Sequence, residues 1–87
     1  MMELRLQCQI PSRIHLEKII KFVRIVDQFN SVILIKSKQI TINARSLLGM
    51  CILATGLANS QVTLHISGPD AKVALEQVKN LLFDNSG

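Results

Sequence analysis

His15 and Ser46 are the residues of this 87-residue chain whose types and positions could do chemistry. His15 precedes a stretch with helical spacing of apolar residues, and Ser46 precedes a short apolar stretch that it suits as an N-cap. The first backbone N–H groups of a helix have no partner within it, and the helix dipole is positive at that end, so an anion is well received there. A neutral imidazole is a competent nucleophile. A histidine at such a point is therefore well placed to take and hold a phosphate; the plainer alternative is a residue that merely begins a helix. Ser46 suits an N-cap, its hydroxyl accepting a bond from the first turn. Phosphorylating it would put about two negative charges where the dipole favours them, and Arg45 beside it could pair with them. The plainer alternative is a cap and nothing more.

Other chemistry is thinly represented. Cys8 and Cys51 lie far apart and outside any C-x-x-C pair, which reads as two buried thiols in a reducing compartment. His15 and His65 are the only histidines, so no cluster has the spacing of metal ligands and no metal is expected. Motifs for nucleotide phosphates and dinucleotides are absent, and no cofactor is expected.

The elements that must position these residues follow from hydrophobic periodicity. Residues 3–10 alternate, with Leu4, Leu6, Cys8 and Ile10 on one face and Glu3, Arg5, Gln7 and Gln9 on the other, a strand with one solvated side. Pro11-Ser12-Arg13 breaks it. From about 16 to 28, Leu16, Ile19, Ile20, Val23 and Val26 form an apolar stripe and predict a helix. Lys18, Lys21 and Arg24 recur off that stripe and could receive an acidic partner, or simply be a solvated face. Residues 32–36 and 40–43 read as a hairpin around Ser37-Lys38-Gln39. A short helix is expected over about 47–53, weakened by Gly49, then a loop over 55–61. Leu47, Leu48 and Met50 would border Ser46 as an apolar docking patch, with Leu47 and Leu48 more exposed than Ile52 and Leu53. Residues 62–67 alternate again and put His65 on the solvated face as a surface residue, and 71–83 predict a last amphipathic helix.

The order is βαββαβα. Half-buried alternating strands call for an antiparallel sheet of four strands with all three helices on one face, an α+β fold. The length is that of one domain spanning 1–87. The core must be built from Ile, Leu and Val, since there are three Phe and no Trp or Tyr. No apolar run approaches the ~20 residues that cross a bilayer, so no membrane insertion is expected. The N-terminus does not read as a secretion signal, so the expected location is the cytoplasm. The net charge of +4 favours an acidic or phosphorylated partner. A nucleic-acid module is disfavoured because Tyr, Trp, a G-x-x-G loop and an RNP-like motif are all missing.

Over nearly its whole length the chain resembles the HPr family, with its open-faced β-sandwich. That family's histidine loop has the form P-x-G-L-H-x-R-P-A; here it is Pro11-Ser12-Arg13-Ile14-His15-Leu16-Glu17-Lys18-Ile19. The histidine is kept, whereas the glycine is Arg13, the arginine Glu17 and the proline Lys18. The serine motif, roughly K-S-I-M-G-V, corresponds to Arg45-Ser46-Leu47-Leu48-Gly49-Met50, and the spacing from His15 to Ser46 needs no gaps.

The resemblance implies a phosphoryl carrier, not a turnover enzyme, in the phosphoenolpyruvate-dependent sugar phosphotransferase system. His15 would accept the phosphoryl group from enzyme I and pass it to sugar-specific permease subunits; Arg13 and Lys18, which depart from the family pattern, are close to it in sequence and could add positive charge. Ser46 would be the site of the HPr kinase/phosphorylase, with a catabolite-control transcription regulator as a further partner. Lys21 and Arg24 would meet acidic partner surfaces. Glu17 in the arginine position replaces attraction with repulsion, about 1–3 kcal/mol at ~5–6 Å from a phosphate. It therefore speaks for a second reading, a regulatory module of the same fold that acts by protein binding and carries no phosphate.

Overall fold

The computed structural model describes residues 2–82. In chain order the elements are β1 (Met2–Gln9), α1 (Leu16–Val26), β2 (Val32–Lys36), β3 (Thr41–Asn43), α2 (Leu47–Gly56), β4 (Gln61–Gly68) and α3 (Ala71–Leu81). The strands form one antiparallel sheet in the order β1-β4-β2-β3. Every strand residue that is fully buried and apolar lies on one face: Cys8, Ile33, Ile35, Ile42, Val62, Leu64 and Ile66. The three helices cover that face, and the other is open. The expected α+β architecture and element order are those observed.

Each helix enters the core through its own stripe. Helix α1 buries Ile19, Phe22 and Val26, and α3 buries Ala71, Ala74 and Val78. Phe22 is the largest fully buried side chain among the described residues. No described helix is long and apolar enough to cross a membrane.

The boundaries differ from expectation in places with identifiable causes. Helix α1 stops at Val26, where Asp27 caps it in a final turn whose amide bonds Val23 O at 3.0 Å. Helix α2 runs on through the expected loop to Gly56; the Thr55 hydroxyl donates to Cys51 O at 2.9 Å, which satisfies that hydroxyl inside the helix. Ile40 lies outside β3 and is exposed. Cys8 is buried as expected, but Cys51 is only half-buried because it sits on the flank of α2. Residue 83, included in the expected last helix, lies outside the described residues.

Gly49 has a packing reason that outweighs its poor helix propensity. A Cβ there would stand 2.9 Å from Ile42 Cγ2, so α2 rests on β3 only because the side chain is missing. Gly68 takes φ +154° at the end of β4, and a Cβ would collide with Ser31 at the start of β2.

Candidate functional site

The loop carrying His15 is held at both ends. Before it, the Ile10 amide donates to Ser60 O at 2.8 Å and Ile10 O accepts from Asn59 N at 3.0 Å, locking the end of β1 to the turn before β4. Asn59 reaches that position through a left-handed φ of 66°, which Asn tolerates better than most residues. After it, Ile14 packs partly into the core and α1 begins.

His15 is the N-cap of α1, extended at φ −72° and ψ 150°. Its carbonyl accepts from Lys18 N at 3.0 Å and Ile19 N at 3.2 Å, while its imidazole makes no capping bond and is exposed. The ring is therefore free to react, and the amides of Leu16 and Glu17 have no acceptor in the first turn. Arg13 and Lys18 are exposed close by in sequence. Glu17 is the acidic residue of that first turn. The ion pairs among the described residues are Arg5–Glu3 and Arg45–Asp27, so neither Arg13 nor Lys18 neutralises Glu17. A carboxylate here favours the empty helix end by about 0.3–1 kcal/mol. It occupies the same electrostatic niche that a phosphoryl group would need.

Ser46 is the N-cap of α2, and its Oγ accepts from Gly49 N at 2.9 Å. The residue is exposed. It is fixed from behind, since its own amide donates to Asn43 O at 2.9 Å and Asn43 Oδ1 accepts from Arg45 N at 2.9 Å. Arg45, the residue suggested as a partner for a phosphate on Ser46, already has partners in the folded chain. Its guanidinium donates to Phe29 O and approaches Asp27 at 4.0 Å, tying the end of α1 to the β3–α2 junction.

The apolar surface near Ser46 is not the one the sequence suggested. Leu48 is 73% exposed and Leu47 46%, as a docking patch requires. Met50 is fully buried and cannot belong to it, because α2 turns that side inward with Leu53. Ile52 is 46% exposed, equal to Leu47, so the expected order of exposure holds for Leu48 against both and for Leu47 against Leu53, and fails only for Leu47 against Ile52. Leu16, beside His15, is 58% exposed. Ile52 was missed although a signal existed: Leu48 and Ile52 are four residues apart and share a helix face. Lys18, Lys21 and Arg24 are all exposed along α1.

His65 lies on the open face of the sheet, half-exposed. Partial shielding from water, then the positive charges of Lys36 and Arg5, hold its imidazole below the usual value, with Glu3 opposing them.

Comparison with known proteins adds the lineage. The family model PTS-HPr, described as the PTS HPr component phosphorylation site, matches residues 2–84. No curated protein matches the chain. Among solved structures, the chain is similar to the phosphocarrier protein HPr of Bacillus anthracis, at 28% identity and a TM-score of 0.77, covering 92% of this chain and 96% of that one. It is also similar to Crh, the catabolite repression containing protein of Bacillus subtilis, at 26% identity and a TM-score of 0.66, covering 93% and 87%. The histidine-containing phosphocarrier protein of a mycoplasma, at 19% identity and a TM-score of 0.79 over 95% and 96% of the two chains, shares the fold. With its helices on one face of a β1-β4-β2-β3 sheet and a histidine opening α1, the chain belongs to the HPr family of phosphocarrier-type proteins.

Proposed function

We propose that the chain is a phosphocarrier and regulatory protein of the phosphoenolpyruvate-dependent sugar phosphotransferase system, with His15 as phosphoacceptor and Ser46 as regulatory site. The observation that carries this reading is His15 itself, an exposed N-cap whose ring is unengaged beside the free amides of α1. In the transfer, the unprotonated ring nitrogen forms a bond to phosphorus while the bond from phosphorus to the donor's leaving group breaks. The amides of Leu16 and Glu17 receive the charged oxygens, and Arg13 and Lys18 add positive charge. Lys18 supplies a point charge and not the two-pronged contact of an arginine.

Enzyme I is the donor in this reading and sugar-specific permease subunits are the acceptors. The HPr kinase/phosphorylase acts at Ser46, a catabolite-control transcription regulator reads the result, and the protein works in the cytoplasm. Leu47, Leu48 and Ile52 supply the apolar part of the docking surface, and Lys21 and Arg24 its charged rim.

One observation favours a second reading, a regulatory module that no longer carries phosphate. Glu17 is exposed at the mouth of the site and has no ion-pair partner among the described residues. The intact mass after incubation with enzyme I and phosphoenolpyruvate, before and after acid treatment, separates the two. An acid-labile gain of one phosphoryl group, absent in His15→Ala, is expected of the carrier. No gain, in a tube where an ordinary HPr labels fully, leaves the regulatory module.

A further inference from the structure

The open face of the sheet holds a depression that phosphotransfer at His15 does not use. Its floor lies on β4, which has a neighbouring strand on each side. Thr63 stands in one cross-strand rank with Gln7 of β1 and Lys36 of β2, a short side chain between two long ones. His65 stands in the next rank between Arg5 and Leu34. The β2–β3 turn brings Lys38 to the rim, and the Ser37 hydroxyl pins that turn by accepting from Ile40 N at 3.1 Å. Gln61 borders the other side of a cavity of about 410 Å³, within the size range of small-molecule sites.

The lining has a definite chemistry. Among the described residues it contains Lys36, Lys38 and His65 and no carboxylate. The acidic residue on this face among the described residues is Glu3, already paired with Arg5 at 3.4 Å. Neither Lys36 nor Lys38 has an ion-pair partner among the described residues. Partial shielding from water first, and then the positive charges of Lys36 and Arg5, lower the affinity of the His65 imidazole for a proton. Gln7, Gln61 and Thr63 offer amide and hydroxyl groups that can bond a ligand's hydroxyls in either direction. Among the described residues no Phe, Tyr or Trp lines the cavity, so a nucleobase would find no ring there to stack on. Val62 is the one apolar lining residue among the described residues, too little for an acyl chain.

We propose that this cavity is a binding site for a small phosphorylated polyhydroxy compound, its phosphate held by Lys36, Lys38 and His65 and its hydroxyls by Gln7, Thr63 and Gln61. The site is on the sheet face opposite the helices and does not depend on His15 being a phosphoacceptor. Filling it places an anion against His65, which raises the proton affinity of the imidazole against the opposing influence of Lys36, Lys38 and Arg5, with Glu3 already favouring the proton.

The test is an NMR titration of the isotope-labelled full chain with ribose 5-phosphate, with ribose and inorganic phosphate as separate probes. Saturable shifts at residues 7, 36, 38, 61, 63 and 65 are expected, together with an upward move of the His65 ring titration. Ribose alone should give none, and inorganic phosphate should bind about tenfold more weakly or worse. The double variant Lys36→Gln, Lys38→Gln should lose at least about tenfold in affinity. Thr63→Gln should lose binding by filling the depression while leaving the charges in place. Three outcomes overturn the proposal: no saturable shift, shifts centred on residues 13–18, or equal affinity for phosphate alone with no response to the lysine variants.

Discussion

Glu17 sits two positions after His15, in the first turn of α1, where a carboxylate steadies the helix and resists an incoming phosphate at once. Exchanging its sign should therefore separate the two effects. Glu17→Arg is expected to speed labelling by enzyme I and phosphoenolpyruvate about ten- to hundredfold, read from the rate at which acid-labile phosphate appears, while lowering stability slightly. An unchanged rate would show that the carboxylate does not limit transfer. Sequence made the His15 loop and the Ser46 cap legible because each depends on neighbours within a few residues. The contact Arg45 makes was not legible, for the opposite reason. Its acceptor, Phe29 O, is 16 residues away and comes within reach only once α1 and the β3–α2 junction have packed.

Helix α2 shows what periodicity can and cannot deliver at the scale of an element. The strands and the outer two helices were legible because their apolar and polar residues take opposite sides. In α2 nearly every residue from Leu47 to Leu53 is apolar, so the sequence does not say which arc faces inward. Packing decides, burying Met50 and Leu53 and leaving Leu48 and Ile52 outside. Paired truncations test that division. Met50→Ala should cost about 2–5 kcal/mol of stability, whereas Leu48→Ala should stay within about 0.5 kcal/mol and weaken partner binding instead; denaturant melts and a binding assay distinguish them. Gly49→Ala is a sharper case, because propensity favours it by about 1 kcal/mol and the close approach to Ile42 opposes it. The expected result is a net loss of about 1–2 kcal/mol, since overpacking of a close helix–sheet contact costs more than propensity returns. A more stable variant would mean that α2 can lift off β3 at little cost.

Across the whole molecule, one carboxylate joins elements far apart in sequence. Asp70, just before α3, accepts from the Ser31 hydroxyl at the start of β2 and from Asn30 N at 2.8 Å. The Ser31 bond first, then the Asn30 amide, with a smaller contribution from Arg45, holds the Asp70 carboxyl below its usual range. A lowered value in the folded state means stability that is present above the ordinary carboxylate pKa and disappears as pH falls through the folded value. Asp70→Asn should therefore lower the denaturation midpoint at pH 7, and the difference from wild type should shrink as the solution is acidified toward pH 3. A difference that stays constant with pH would assign the effect to something other than ionisation. The basic cavity on the open face also exists only at this scale, because it needs the register that sets residues 7, 36 and 63 abreast. The placement of β4 between β1 and β2 has a further consequence for how the protein is made. As the chain leaves the ribosome, Met2–Gln9 is synthesised before every other strand of the sheet, yet its hydrogen-bonding partner is Gln61–Gly68. The first strand must wait for β4 to emerge before it can pair, whereas β2 and β3 can already form their hairpin, so β1 joins the sheet only after its later neighbours exist.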